Sequence, residues 1–183
     1  MGTVTTLPRS RPLGRADLDV MPDDGHRYEL IDGALIVTPA PSTAHQTVVL
    51  ELAVLLRERC PGHLKVLVAP FDVVLTDDTI MQPDLLVARR RDLTERDLPA
   101  APVLAIEVLS PSTRRIDLTL KRSRFEAAGC LHYWVVDPDQ PAITAWQLQD
   151  AAYVEAAQVT GGETLSVQEP FTMDVVPAQL SRP

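Results

Sequence analysis

The sequence predicts a mixed α/β (α+β) fold in which antiparallel hairpins surround one helical crossover. Three observations predict it. Short apolar, β-rich runs recur along the chain, each closed by a turn signal such as Asp32-Gly33 or Asp137-Pro138. Two other segments, 43–58 and 115–128, carry apolar residues at helical spacing. The second of these lies between the strand-like runs Val103 to Leu109 and Leu131 to Val136, which makes it the crossover.

Residues 1–25 form an N-terminal arm marked by Pro8, Pro12 and Pro22, with room for one short helix around Ala16 to Met21. Residues 26–183 form a single domain that ends in a strand hairpin and a tail. Tyr28 to Ile31, the turn Asp32-Gly33 and Ala34 to Val37 read as a hairpin, which Pro39 and Pro41 end. Thr43-Ala44-His45-Gln46 matches a capping box and opens a helix to about Glu58. Val48, Leu52, Leu55 and Leu56 supply its buried stripe, and Cys60-Pro61-Gly62 stops it. Leu64 to Ala69 and Phe71 to Leu75 are β-rich, with Pro70 marking a bulge or an edge. Thr76 to Thr79 turns the chain toward a strand headed by Pro83-Asp84, and 89–102 is a polar loop with a helical turn. After the Glu107 strand, Ser110 to Thr113 starts a helix that runs from Arg115 to Ala128 and ends at Gly129. Its apolar stripe is Leu118, Phe125 and Ala128. Ala142 to Leu148 and Tyr153 to Val159 form a terminal hairpin, and residues 160–183 read as a polar turn and a loosely packed tail.

A length of 183 residues suits one domain with a substantial core, and 45% hydrophobic content is ordinary for a globular chain. No apolar stretch approaches the roughly 20 residues of a membrane span, and Met1 to Arg15 lacks the apolar centre of a signal peptide. Cys60 and Cys130 fit no metal spacing and read as reduced core thiols. The expected location is the cytoplasm. The formal charge of −8 excludes a protein that grips nucleic acid through one broad basic face. Positive charge is local instead, in Arg89-Arg90-Arg91 and in Arg114, Arg115, Lys121, Arg122 and Arg124. Solvated loops and helix faces explain these clusters equally well.

Asp84 and Glu107 stand where apolar side chains are expected. Asp84 opens the run Leu85-Leu86-Val87-Ala88, and Glu107 interrupts Val103 to Leu109. Strand alternation puts Glu107 on the face of Val103, Ala105 and Leu109. A carboxylate at a core edge is costly unless a cation or strong donors compensate it. Two such acids entering one site would repel, and a divalent metal would relieve them. Either acid alone fits a strand end turned to water; the pair, followed by a lysine on an apolar helical stripe, points to a metal site. That lysine is Lys121, one of only two in the chain with Lys65. A snorkelling surface lysine is the alternative. Asp117 lies one turn before Lys121 and can pair with it. Glu29, beside the Asp32-Gly33 turn, is a supplementary metal ligand or supporting acid. His45 reads as a capping or surface residue, His132 packs locally, His26 and His63 flank turns, and Tyr133 and Trp134 read as core.

Tyr28 to Gly33, Gln82-Pro83-Asp84-Leu85, Glu107 to Thr113, Lys121 and Gly129 to Pro138 together resemble the Uma-two restriction-endonuclease family of the PD-(D/E)XK nuclease superfamily. The resemblance covers roughly residues 20 to 175 in the correct order. It implies a restriction-endonuclease-like core, a mixed central sheet flanked by helices, and Mg²⁺-dependent (or Mn²⁺-dependent) cleavage of DNA. By it, Asp84 and Glu107 are the metal-binding and catalytic acids. The motif's lysine should stand two residues after Glu107, where this chain has Leu109; Lys121 of the following helix is the matching position. The chemistry suits these groups: Mg²⁺ takes one or two carboxylates, with the Val108 carbonyl as a third ligand, and lowers the pKa of a bound water. Lys121 would orient that water or stabilise the developing anion. Two other readings stay open: a noncatalytic nucleic-acid or protein interaction module on the same fold, and a hydrolase of a smaller phosphate ester. No membrane partner is expected, and a homodimer is compatible with the sequence.

Overall fold

The hairpin at the start of the domain shows how local chemistry sets the frame of the molecule. In the computed structural model, which describes residues 11–181, strands β1 (Arg27–Ile31) and β2 (Ala34–Thr38) pair antiparallel. Asp32 and Gly33 between them both have positive φ, 53° and 74°, as a two-residue hairpin turn of this hand requires. The first ten residues of the N-terminal arm lie outside the described residues. Beyond them, α1 (Arg15–Leu18) and Leu13 lay apolar side chains on Leu30 and Ile80.

Helix α2 (Thr43–Arg59) follows, and its cap is Ser42 rather than Thr43: the Ser42 hydroxyl accepts a hydrogen bond from the His45 amide at 3.3 Å. The expected box is therefore shifted by one residue. Val48, Leu52 and Leu56 are buried as the spacing predicts, whereas Leu55 is only partly so. His45 begins the same buried stripe.

Two sheets then share the strands. The larger, in the order β11-β10-β9-β8-β6-β3, contains β3 (Leu64–Val68), β6 (Leu85–Arg89), β8 (Leu104–Val108), β9 (His132–Asp137), β10 (Ala142–Gln149) and β11 (Ala152–Thr160). The smaller, β2-β1-β5-β4-β7, adds β4 (Asp72–Thr76), β5 (Thr79–Met81) and β7 (Asp97–Leu98). Ala69, Pro70 and Phe71 thus carry the chain from one sheet into the other, and β3 is an edge strand, which suits a neighbouring proline. Only β8 and β9 pair in parallel within the larger sheet. The helical crossover demanded by that pairing is α3 (Arg114–Ile116), a π-helical stretch (Asp117–Lys121) and α4 (Arg122–Ala127). Gly129, at φ 80°, ends it. Phe125 is buried there as expected, but Ala128 is exposed.

Alternation along the central strands gives the larger sheet two different faces. Leu104, Ile106 and Val108 face α2, whereas Ala105 and Leu109 face the smaller sheet and Phe125. The C-terminal segment corrects the expectation of a loosely packed tail. It forms the hairpin β12 (Leu165–Val167) and β13 (Met173–Val175) and helix α5 (Pro177–Leu180). Leu165, Phe171, Met173, Val175 and Leu180 all pack into the α2-side core. Phe171, Met173 and Val175 alternate with Thr172 and Asp174, a strand signal in the sequence that is too short to show which core it completes. The architecture is the mixed α+β one that the sequence predicts. Among the described residues no helix is long and apolar enough to cross a membrane.

Candidate active site

Asp84 sits where the chain leaves the smaller sheet at β5 and enters the larger one at β6. The β6–β8 register pairs Leu85 with Ile106, so its continuation by one residue sets Asp84 opposite Glu107. In an antiparallel pair, opposed residues share a face. Both acids are buried and line one cavity of about 210 Å³ between the sheets. The Val108 amide, next in chain to Glu107, donates to Asp84 Oδ2 at 2.9 Å and stitches the two positions together.

Lys121 enters the same cavity from the crossover. Its Nζ lies 2.8 Å from Glu29 Oε1, 3.2 Å from Glu107 Oε1 and 3.8 Å from Asp117 Oδ1. In an α-helix, residues four apart are displaced by about 40° around the axis. The wider π turn over Asp117–Lys121 brings them closer to one line, and both are buried on the cavity side. The snorkelling alternative for Lys121 is thereby excluded: its side chain is 3% exposed.

Arg27, Glu29 and His45 also line the cavity. Arg27, Glu29 and Ile31 share one face of β1 by alternation, the face turned to the larger sheet. Arg27 Nη1 donates to Asp84 Oδ1 at 2.9 Å and to the Gln82 carbonyl at 3.0 Å. Glu29 Oε1 also accepts the Gln82 amide at 2.7 Å. His45 corrects its reading as a capping or surface residue. It is buried, with Nε2 3.0 Å from Asp84 Oδ2. The signal was present in the sequence: positions 45, 48, 52 and 56 form one helical stripe. Arg27 carried no comparable signal, because a strand-end arginine before Tyr28 reads as solvated. Ser110, Ser112 and Thr113 line the cavity as well.

The electrostatics follow from burial. Burial pushes Asp84 up, but the His45 hydrogen bond and the Arg27 guanidinium hold it at about 2. Glu107 has no such donors. Burial raises it well above the ordinary carboxylate range, and Lys121 only partly opposes this. Burial likewise lifts Asp117 to about 6 against the pull of Lys121. Burial also works against the Lys121 ammonium, yet Glu107, Glu29 and Asp117 together raise its pKa. Lys121 is a fixed cation.

Four carboxylates (Glu29, Asp84, Glu107 and Asp117) face two permanent cations (Arg27 and Lys121), which leaves two formal negative charges when all are ionised. Glu107 Oε1 and Asp117 Oδ1 are buried without a hydrogen-bond partner. A hard divalent cation with oxygen ligands fits both the charge and the donor set. Among the described residues no three His, Cys, Asp or Glu side chains are already arranged around a common point.

The other expected residues fall elsewhere. Arg89 ends β6, roughly 17 Å from Asp84 at a strand rise of 3.3 Å per residue, and Arg90 and Arg91 follow it in a 3-10 turn (Arg90–Asp92). Arg114 is paired with Asp137 at 2.8 Å, Arg124 with Asp32 at 2.6 Å, and Arg122 lies over the Trp146 ring. Tyr133 and Trp134 are core, and the Tyr133 hydroxyl donates to the Asp117 carbonyl at 2.8 Å. His132 is buried and His26 contacts Asp24. Cys130 is buried, but Cys60 is only partly so; both are free.

No curated protein matches the sequence. Among solved structures, the crystal structure of "a putative nuclease belonging to DUF820 from Anabaena variabilis ATCC 29413" is similar, with a TM-score of 0.72 over 92% of this chain and 97% of that one. At 18% identity this likeness shows a shared fold. The family model of Uma2, described as "Putative restriction endonuclease", matches residues 15–179, and the chain belongs to that family.

Proposed function

We propose that the protein is a divalent-metal-dependent endonuclease that hydrolyses DNA phosphodiester bonds in the cavity between its two sheets. The observation that supports this most is the placement of Asp84 and Glu107 on opposed positions of adjacent strands, with Lys121 beside them. Asp84 and Glu107 would hold Mg²⁺ or Mn²⁺, with the Val108 carbonyl as a further oxygen. Such an ion supplies an activated water and polarises the phosphate. Lys121 stays protonated among its three carboxylates, so its part is to donate hydrogen bonds and offset charge on the phosphorane-like transition state; it does not take the water's proton. Glu29 and Asp117 hold Lys121 in place.

The test is nicking of supercoiled plasmid in Mg²⁺ or Mn²⁺ by the wild type against Asp84→Ala. Metal-dependent nicking that disappears in the variant supports the reading; equal nicking by both rules it out. The small cavity of about 210 Å³ and the net charge of −8 favour a second reading, hydrolysis of a smaller phosphate ester. Turnover of bis(p-nitrophenyl) phosphate without plasmid nicking would select it.

A further inference from the structure

The two cations of the acid cavity are held in different ways. Lys121 is enclosed by Glu29, Glu107 and Asp117 and has no route out. Arg27 reaches in from the rim: its side chain is 20% exposed, and one nitrogen, Nη1, serves both Asp84 Oδ1 and the Gln82 carbonyl. Asp84 Oδ2 is fully engaged, because it meets the Val108 amide and His45 Nε2, whereas Oδ1 accepts from Arg27 alone and keeps a free lone pair. Glu107 Oε1 is buried with Lys121 Nζ 3.2 Å away but without hydrogen-bond geometry. An ion shared by the two acids would therefore approach Asp84 at Oδ1, directly beside the Arg27 guanidinium. The Val108 amide belongs to the sheet, and His45 is buried on a helix packed into the core. Arg27 alone has somewhere to go. It lines both the acid cavity and a neighbouring one of about 520 Å³, with Pro39, Ala40 and Pro41 on the shared wall.

We propose that Arg27 is an exchangeable counter-ion of Asp84: a divalent cation displaces it, and the freed guanidinium then binds a phosphate of the substrate strand where the two cavities meet. This rests on the metal-dependent reading above. A guanidinium and a divalent ion on the same carboxylate oxygen repel strongly in a buried site, so one excludes the other. Once released, the guanidinium needs an anionic partner, and its planar fork matches phosphate. Lys121 cannot fill this role because its own three acids trap it. Arg27 thus makes the ion bind weakly until a phosphate is present to accept the displaced charge.

The experiment is calorimetric titration of the full chain with Mn²⁺ in the absence of nucleic acid, for wild type, Arg27→Gln and Arg27→Lys. A second titration measures binding of a short duplex with Ca²⁺ in place of the catalytic ion. Arg27→Gln should bind Mn²⁺ roughly tenfold or more tightly than wild type. Arg27→Lys, which keeps the charge, should stay near the wild-type value. Duplex binding by Arg27→Gln should weaken by about tenfold. Equal or weaker Mn²⁺ binding by Arg27→Gln, or none by either protein, overturns the exchange; unchanged duplex affinity overturns the phosphate role. Because the Mn²⁺ titration contains no nucleic acid, a chain that cuts no DNA yet gains Mn²⁺ affinity in Arg27→Gln loses only the nuclease reading.

Discussion

Asp84 accepts a hydrogen bond from the backbone amide of Val108 at 2.9 Å, so the first acid of the site is fastened to the strand that carries the second. Their environments then diverge. Asp84 is surrounded by donors and held at about 2 against the effect of burial, whereas burial raises Glu107, which has no such set. Neighbouring acids with opposite shifts should respond oppositely to neutralisation.

Asp84→Asn is expected to destabilise the fold and Glu107→Gln to leave it unchanged or more stable. A carboxylate lowered from 3.8 to about 2 contributes on the order of 2 kcal/mol. That contribution is present above the unfolded value and is lost as pH falls through about 2. Urea unfolding at pH 7 in chelator measures both variants, and a stabilising Asp84→Asn would contradict the assignment.

The metal-free protein should lose stability as pH rises from about 4 to about 6. Asp117, raised from 3.8 to about 6 by burial, keeps its proton in the folded chain where the unfolded chain has lost it. The folded state therefore binds more protons across that window, and stability falls through it by roughly 2–3 kcal/mol. Glu107 extends the loss upward. Thermal unfolding between pH 4 and 8 reads this. Asp117→Asn should flatten the curve, and an added divalent ion should restore stability on the alkaline side.

Lys121→Ala should be severely destabilising at neutral pH. It leaves Glu29, Glu107 and Asp117 buried with no ammonium between them, and breaking such a set costs roughly 3–5 kcal/mol. Part of the loss should return as pH falls through about 6, where Asp117 takes up its proton. A variant as stable as wild type at pH 7 would contradict the ion-paired cluster.

Duplex binding with Ca²⁺ should show a shallow salt dependence. Arg89-Arg90-Arg91 is remote and Arg114, Arg122 and Arg124 are committed within the chain, so two phosphate contacts by Arg27 and Arg115 remain. A log–log slope of roughly −2 follows. Replacing Arg89, Arg90 and Arg91 by alanine should leave affinity unchanged, and Arg115→Ala should reduce it. Binding measured across salt concentrations separates the two.

Met173→Ala should cost roughly 2–5 kcal/mol, as for any large buried side chain removed from a packed core. A loosely packed tail would lose almost nothing. Chemical denaturation distinguishes the two.

The sequence by itself determined the elements whose causes are local. The Asp32-Gly33 hairpin, the α2 stripe, the crossover and the Glu107 strand all follow from turn chemistry and periodicity, which act over a few residues. It also marked Asp84, Glu107 and Lys121, because a charge inside an apolar pattern is visible without a structure. The tertiary structure decided what surrounds them. Arg27 and Glu29 come from β1 and His45 from α2, dozens of residues from Asp84 and Lys121, which they meet. Their pairing depends on how the smaller sheet and α2 dock on the larger sheet, which no local pattern encodes. Residues 165–180 lie between the two: the alternation of Phe171, Met173 and Val175 with Thr172 and Asp174 marks a strand locally, but only the core they complete shows where it packs.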